Sequence, residues 1–168
     1  MSLLPVFLKL GGRRVVLVGD DAVAMSKRDM LVRHGADVVV VSPDRFQPAD
    51  LDGAWLVLAA ATPEVNRTVA AAAEARHVFV NAVDDPPNAS AYLGGVIQRS
   101  GVTIAISTGG EAPALAGLLR EGIETLLPDD LERWTACAQD LRRSWKADGV
   151  PMAARRPKLA EALKELYP

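Results

Sequence analysis

The stretch RVVLVGDDAVA, residues 14–24, decides the fold of this chain. Val15 to Val18 form a continuous apolar run without polar alternation, which is typical of a parallel strand buried on both faces. Gly19 ends that run. A helical pattern begins at Ala22 and stops at Gly35, a residue suited to the left-handed end of a helix. The stretch therefore predicts a buried strand, a tight turn and a helix.

The same succession of buried strand and helix continues along the chain. We expect three further strands at residues 38–41, 55–59 and 78–80, and a helix at residues 63–76. This order favours a right-handed, doubly wound parallel sheet of Rossmann type, so the predicted fold class is α/β. Two later apolar runs, residues 92–97 and 102–106, either extend this sheet or form a hairpin.

The 168 residues are enough for one domain with a small appendage. We expect a Rossmann-type dinucleotide-binding domain over residues 1–112. Residues 113–128 carry apolar side chains at helical spacing, a stripe that seals either the core or a subunit interface. Residues 129–168 are predicted to form a small C-terminal helical region, whose last helix runs from Pro157 to Leu166.

Composition excludes several classes of function. A net charge of −2 gives no general attraction to nucleic acid or to an anionic membrane. No apolar stretch approaches the ~20 residues of a membrane span, and we expect no signal peptide. Cys137 is the single cysteine, so a cytoplasmic location is expected. His34 and His77 lack the spacing of metal ligands, and no protein-bound metal is expected.

The turn after the first predicted strand lies where dinucleotide-binding folds carry G-x-G-x-x-G or G-x-G-x-x-A. Gly19 supplies the tight turn and Ala24 the close approach of helix to strand, but Asp21 replaces the glycine that meets the pyrophosphate. Asp20 and Asp21 are explained equally well as acids that stabilise a helix N-terminus. Asp44 follows the second strand two residues late for a ribose ligand, and it is also explained as a solvated loop acid.

Two loops beyond the fourth strand offer reactive groups. Asp84 and Asp85 follow that strand at the carboxyl edge of the sheet, where a carboxylate can act as a general base or simply cap a turn. Ser107-Thr108-Gly109-Gly110 precedes a helix, and the loop forms either an anion cradle or a tight turn.

Several sequence blocks carry a family resemblance. The most specific are NAVDDP at residues 81–86 and IAISTGG at residues 104–110, and LPVFL at residues 4–8, GADV at residues 35–38 and PALA at residues 113–116 are collinear with them. On these blocks the chain resembles the precorrin-2 dehydrogenase and sirohydrochlorin ferrochelatase family, which includes the N-terminal module of siroheme synthase.

The resemblance implies NAD-dependent oxidation of precorrin-2 to sirohydrochlorin, a tetrapyrrole, and in some members the insertion of ferrous iron. It implies that Asp84 is the essential acid and that Thr108 lines the tetrapyrrole cleft together with Gly109 and Gly110. It also implies a homodimer formed through the middle of the chain. The implied NAD contacts, beside the turn at Gly19, are Ala22, Val23, Pro43 and Asp44.

Three departures from the family pattern fall on the nucleotide side: Asp21, Ser26 and the short Ala61-Thr62 turn after the third strand. The tetrapyrrole side keeps its acid, its hydroxyl and its glycines. The leading hypothesis is that this chain is an NAD-dependent precorrin-2 dehydrogenase. In some members of the family the same protein is also a ferrochelatase. The alternatives are a chelatase that has lost NAD binding and a tetrapyrrole-binding protein without catalysis.

Overall fold

The structure of the protein is a computed structural model that describes residues 3–164. Among these residues the chain forms six strands and five helices, joined by loops that include three short 3-10 turns. In chain order they are β1 (Arg14–Val18), α1 (Ala22–Arg33), β2 (Asp37–Val41), β3 (Leu56–Ala59), α2 (Pro63–Glu74), β4 (Phe79–Ala82), β5 (Gly95–Arg99), β6 (Val102–Ile106), α3 (Pro113–Leu126), α4 (Leu131–Ala147) and α5 (Met152–Lys164). The 3-10 turns are Pro43–Arg45, Pro48–Leu51 and Pro86–Asn88.

The chain divides into two compact units. The first comprises the residues up to Leu93 together with Ser107–Ala112, and the second comprises Gly94–Ile106 together with the residues from Pro113 onward. Residues 94–106, which the sequence analysis placed within a domain over residues 1–112, thus group with the C-terminal helices.

The first unit is built on a four-stranded parallel sheet in the order β2-β1-β3-β4. All four residues Val15 to Val18 of β1 have no exposed surface. Val16 and Val18 share one core cluster with Val69 of α2, whereas Val15 and Leu17 share the other with Leu31 of α1. Each such fully buried side chain stabilises the fold by about 1.5–3 kcal/mol. Because one helix covers each face, the sheet is doubly wound and the predicted fold class is confirmed.

The strand order reverses beside β1, since β2 lies on one side of it and β3 and β4 lie on the other. In open α/β sheets, ligands bind at such a reversal, in the crevice outside the carboxyl ends of the strands. The turns that follow β1, β2, β3 and β4 all lie at this edge. The fold therefore brings together loops that are distant in sequence.

The second unit begins with an antiparallel hairpin of β5 and β6, paired from Gly95 opposite Ile106 to Arg99 opposite Val102. Ser100 and Gly101 connect the strands with φ angles of 50° and 78°, the left-handed pair that a two-residue hairpin turn requires. Of the two arrangements left open by the sequence, the hairpin is the observed one.

The last helix starts earlier than the sequence predicted. It begins at Met152, directly after Pro151, and Pro157 lies inside it. The predicted start was wrong. Proline is common in the first turn of a helix, and the prediction used Pro157, whereas the helix begins just after Pro151. The predicted end at Leu166 lies outside the described residues.

Candidate functional site

The turn after β1 is tightly enclosed. A Cβ atom at Gly19 would lie 2.7 Å from the carbonyl oxygen of Ala60 and 2.9 Å from Cβ of Ala24. The backbone N–H of Gly19 donates to the carbonyl of Val41, the last residue of β2, at 3.1 Å. Glycine is therefore required here by the close approach of the turns after β1 and β3, as the sequence motif predicted.

Asp21 is the N-cap of α1. Its backbone, at φ −86° and ψ 179°, is open to any residue, and its Oδ1 accepts a hydrogen bond from the N–H of Ala24 at 2.8 Å. The helix-stabilising role considered for this acid is therefore present in the structure. The same contact places a carboxylate where a dinucleotide fold presents free N–H groups to a phosphate. Ala22 and Val23 are exposed in the first turn of the helix.

Two acids converge on one hydroxyl at the end of β2. Ser42 Oγ lies 2.6 Å from Oδ1 of Asp44 and 3.0 Å from Oδ2 of Asp20. The Ser42 hydrogen bond is the main cause of a lowered pKa at Asp44, to which its own backbone N–H and Arg45 add. The 3-10 turn Pro43–Arg45 folds the chain back toward the strand, so Asp44 reaches the strand end although it is two residues late in sequence.

A cavity of about 250 Å³ lies between this turn and the first turns of α2. Of its lining residues, the sequence analysis named only Pro43. The others lie in the turn after β2 and in α2, two elements that no sequence motif connects. The lining residues are Pro43, Phe46, Glu64, Val65 and Thr68.

The loop after β4 holds its two acids in different ways. Asp84 is exposed and has a φ of 54°, a left-handed conformation that is uncommon for any residue but glycine. Within residues 3–164 its carboxylate has no hydrogen bond or ion pair. The neighbouring Asp85 instead accepts from Nδ2 of Asn88 at 2.9 and 3.0 Å, and from Nδ2 of Asn66 at 3.4 Å. Asp85 therefore shapes the loop, and Asp84 is left available for chemistry.

Asn66 connects this loop to the turn after β3. Its side chain is 1% exposed, its Oδ1 accepts from the N–H of Ala61 at 3.3 Å, and its Nδ2 is the donor to Asp85. Val83 N–H also donates to the carbonyl of Ala59, the last residue of β3, at 2.8 Å. The partners of Asn66 lie in two different turns, so no local sequence pattern reveals these contacts.

The loop Ser107–Ala112 lies against the acid loop within the first unit. A Cβ atom at Gly110 would come within 2.9 Å of Cγ of Pro86, so a glycine is needed for the contact. Gly109 and Gly110 have φ angles of 68° and 82°. Thr108 Oγ1 accepts from the N–H of Ala112 at 3.1 Å, which leaves its hydroxyl hydrogen free to donate to a ligand.

The structure thus brings the predicted residues to one edge of the first unit. Gly19, Ala22, Val23, Pro43 and Asp44 follow the first two strands, while Asp84 and Thr108 lie on two adjoining loops. Among residues 3–164, no group of three His, Cys, Asp or Glu side chains could hold a metal ion. In the same part of the chain, no helix has both the length and the apolar composition needed to cross a membrane.

Comparison with known families and proteins gives consistent matches. The family described as putative NAD(P)-binding matches residues 6–95, and the family described as sirohaem biosynthesis protein central matches residues 99–126. Siroheme synthase 3 of Aeromonas hydrophila is 39% identical over 93% of this chain and 38% of its own length. The siroheme synthase of Methylobacillus flagellatus is also 39% identical, over 87% of this chain and 36% of its own length.

This chain therefore spans less than two fifths of the relatives it matches. A solved structure of SirC, precorrin-2 dehydrogenase, superposes with a TM-score of 0.68 over 95% of this chain and 88% of that chain. At 19% identity, that superposition shows a shared fold.

Proposed function

The chain belongs to the NAD(P)-binding family that it matches over residues 6–95, and on this basis we propose that it oxidises precorrin-2 to sirohydrochlorin with NAD. This match, the match to the sirohaem biosynthesis family and the siroheme synthase relatives together confirm the resemblance inferred from the sequence. The substrate is inferred from the siroheme synthase relatives and from the fold shared with a precorrin-2 dehydrogenase. The observation that carries the proposal is Asp84, exposed at the carboxyl edge of the sheet and without a partner among residues 3–164.

The nucleotide turn fits a dinucleotide in most respects. Gly19 allows the close turn, Ala22 and Val23 are exposed at the start of α1, and Asp44 offers an ionised acceptor for ribose hydroxyls. Asp21 opposes it, because its carboxylate occupies the helix N-terminus and repels a phosphate. We infer that NAD binds here with reduced affinity.

NAD, when bound, accepts a hydride. The chain's own residues must then remove one proton from the same macrocycle, so that the substrate loses a hydride and a proton together. Asp84 Oδ is free to take that proton, since no other described group binds it. The Thr108 hydroxyl donates to a carboxylate of the macrocycle, and the loop that carries it holds the substrate beside the acid loop.

The proposal is tested by mixing the purified protein with precorrin-2 and NAD and following NADH and sirohydrochlorin by absorbance. Asp84→Asn keeps the shape of the side chain and should lower kcat by about 100-fold or more, the usual contribution of a general base. Asp140→Asn, at an exposed acid of α4, is the matched control and should retain full activity. Absence of NADH formation by folded wild-type protein would reject the dehydrogenase.

A second candidate function is metal insertion without oxidation, and the capping carboxylate of Asp21 is the observation that favours it. In that case the protein binds no NAD, yet it inserts ferrous iron into sirohydrochlorin, and Asp84→Ala abolishes the insertion. Tight sirohydrochlorin binding that is unaffected by Asp84→Ala, with neither reaction, would instead identify a non-catalytic binding protein.

We further propose that residues 113–128 form the contact between two copies of the chain. Within α3, Leu115, Leu118 and Leu126 are 50%, 67% and 81% exposed, a concentration of apolar surface typical of an interface. Sedimentation velocity should show a dimer for wild type and a monomer for Leu118→Glu. A monomeric wild type would contradict the proposal.

With a single cysteine, the chain is suited to a reducing compartment, and we propose the cytoplasm.

A further inference from the structure

The first apolar block of the chain, LLPVFL at residues 3–8, precedes the first strand and lies outside every helix. Its side chains are largely open to solvent, and Leu4, Val6 and Phe7 are 84%, 62% and 70% exposed. Within residues 3–164, residues 3–9 form no backbone hydrogen bond. Exposed apolar side chains concentrated in this way mark a surface that another molecule covers.

Both ends of this N-terminal apolar segment are fixed within the first unit. At its start, Cδ1 of Leu3 lies 3.9 Å from the position that a Cβ atom at Gly109 would occupy. Just beyond its end, Leu10 packs against the core cluster of β1 and α1, and the N–H of Gly12 donates to the carbonyl of Gly35 at 2.8 Å. The fold therefore holds the segment beside the loop of Gly109 without covering its side chains.

The start of the segment is close to the acid loop. Gly110, the next residue after Gly109, has its Cβ position 2.9 Å from Cγ of Pro86, and Pro86 is the second residue after Asp84. Only two loops thus lie between Leu3 and the proposed proton acceptor. A tetrapyrrole is a macrocycle of linked pyrrole-type rings, so a substrate bound at both loops is large enough to reach the segment.

The charge of the segment fits the same ligand. Lys9 follows it directly and is exposed, and it has no ion pair within residues 3–164. Residues 3–19 contain no Asp or Glu. The tetrapyrrole carries carboxylates around an apolar ring system. An apolar surface beside an unpaired cation offers a contact for the face of that ring system and a partner for a carboxylate.

We propose that the N-terminal apolar segment forms a wall of the tetrapyrrole site, where Leu4 and Phe7 pack against the face of the macrocycle and Lys9 pairs with one of its carboxylates. The inference rests on the proposed function, since the ligand is the tetrapyrrole of that reaction. It adds a substrate-binding element that precedes the nucleotide-binding turn in the sequence. The segment determines the affinity for the tetrapyrrole and leaves the affinity for NAD unaffected.

The test measures the affinity for sirohydrochlorin in the absence of NAD, by isothermal titration calorimetry of the full chain. Phe7→Ser should weaken this binding about tenfold, because the burial of one large apolar side chain is lost, and it should leave NAD affinity unchanged. Lys9→Gln should weaken the binding at low salt only, since salt screens an exposed ion pair. Val32→Ser is the matched control, because it removes an exposed apolar side chain from α1, and its sirohydrochlorin affinity should equal that of wild type.

A photoreactive benzoylphenylalanine in place of Phe7 tests the contact directly. On irradiation with sirohydrochlorin it should crosslink to the tetrapyrrole, whereas the same group in place of Val32 should not. The wall would be overturned by a crosslink to a second copy of the chain instead, by a Phe7→Ser variant that binds sirohydrochlorin as tightly as wild type, or by a wild type that does not bind it. Oxidation of precorrin-2 would still support the proposed function in those cases. A folded wild type that neither binds sirohydrochlorin nor oxidises precorrin-2 would overturn both.

Discussion

Replacement of Asp84 by glycine should abolish the activity of the protein without removing a contact that stabilises its fold. Asp84 has a φ of 54°, and its carboxylate has no partner within residues 3–164. Loss of the side chain therefore removes no stabilising contact from the fold, but it removes the proposed proton acceptor. We expect the stability of Asp84→Gly to lie within about 1 kcal/mol of wild type and the variant to be inactive in precorrin-2 oxidation.

The magnitude follows from the backbone conformation. An L-residue other than asparagine or aspartate loses about 1–2 kcal/mol in the left-handed region. Glycine has no such steric cost, but its greater freedom in the unfolded chain lowers the free energy of unfolding by about 0.5–1 kcal/mol. The glycine variant should thus be about 1 kcal/mol more stable than Asp84→Ala, a difference of about 2–4 °C in Tm for a chain of this size.

Thermal melts followed by circular dichroism measure the stability, and NADH formation from precorrin-2 measures the activity. His77 is the matched control, because it has a φ of 56° in the turn after α2 and belongs to no candidate site. His77→Gly should show the same gain over His77→Ala while activity is retained. If Asp84→Gly and Asp84→Ala melt together below wild type, the carboxylate has a structural partner and the reasoning is wrong.

Three other outcomes follow from the site. Asp21→Gly should tighten NAD binding about tenfold by calorimetry, because a repulsion of about 1.4 kcal/mol is relieved, while the lost N-cap costs only a few tenths of a kcal/mol. Asn66→Leu leaves the Asp85 carboxylate short of one donor, so it should lower stability by about 1–3 kcal/mol and lower kcat more than it raises KM. Ser42→Ala should lower Tm to its full extent above pH 3.8, the ordinary pKa of Asp44. Because the folded pKa lies below that value, the stabilisation is lost as pH falls from 3.8 through the folded pKa, and the two melting curves should converge below the folded pKa.

Most of the first unit was predictable because its strands are buried on both faces. Val15 to Val18 and Leu56 to Ala59 are continuous apolar runs, and such runs identify parallel strands without any knowledge of their partners. The strands β5 and β6 were ambiguous because apolar length alone does not specify pairing. The Ser100-Gly101 pair resolves it, since both residues take positive φ angles in the structure.

The candidate site was predictable in position but not in detail. Any acid that follows β4 must lie at the carboxyl edge, so the location of Asp84 follows from the topology. Which of two adjacent acids is free depends on Asn88, three residues after Asp85, and on Asn66, 19 residues before it. No local pattern encodes the contact with Asn66. The approach of Asp44 to Ser42 likewise depends on a 3-10 turn of three residues, too short to show periodicity.

The two leading hypotheses require the same acid, so variants of Asp84 alone cannot distinguish them. The acid loop is fixed to the end of β3 by the Val83 to Ala59 hydrogen bond and by Asn66, whereas Asp21 interacts with its own helix. A change at Asp21 should therefore alter NAD affinity without moving Asp84. If Asp21→Gly gains NAD binding and oxidation while wild type performs only metal insertion, the chain is a dehydrogenase scaffold whose nucleotide turn was closed by one carboxylate.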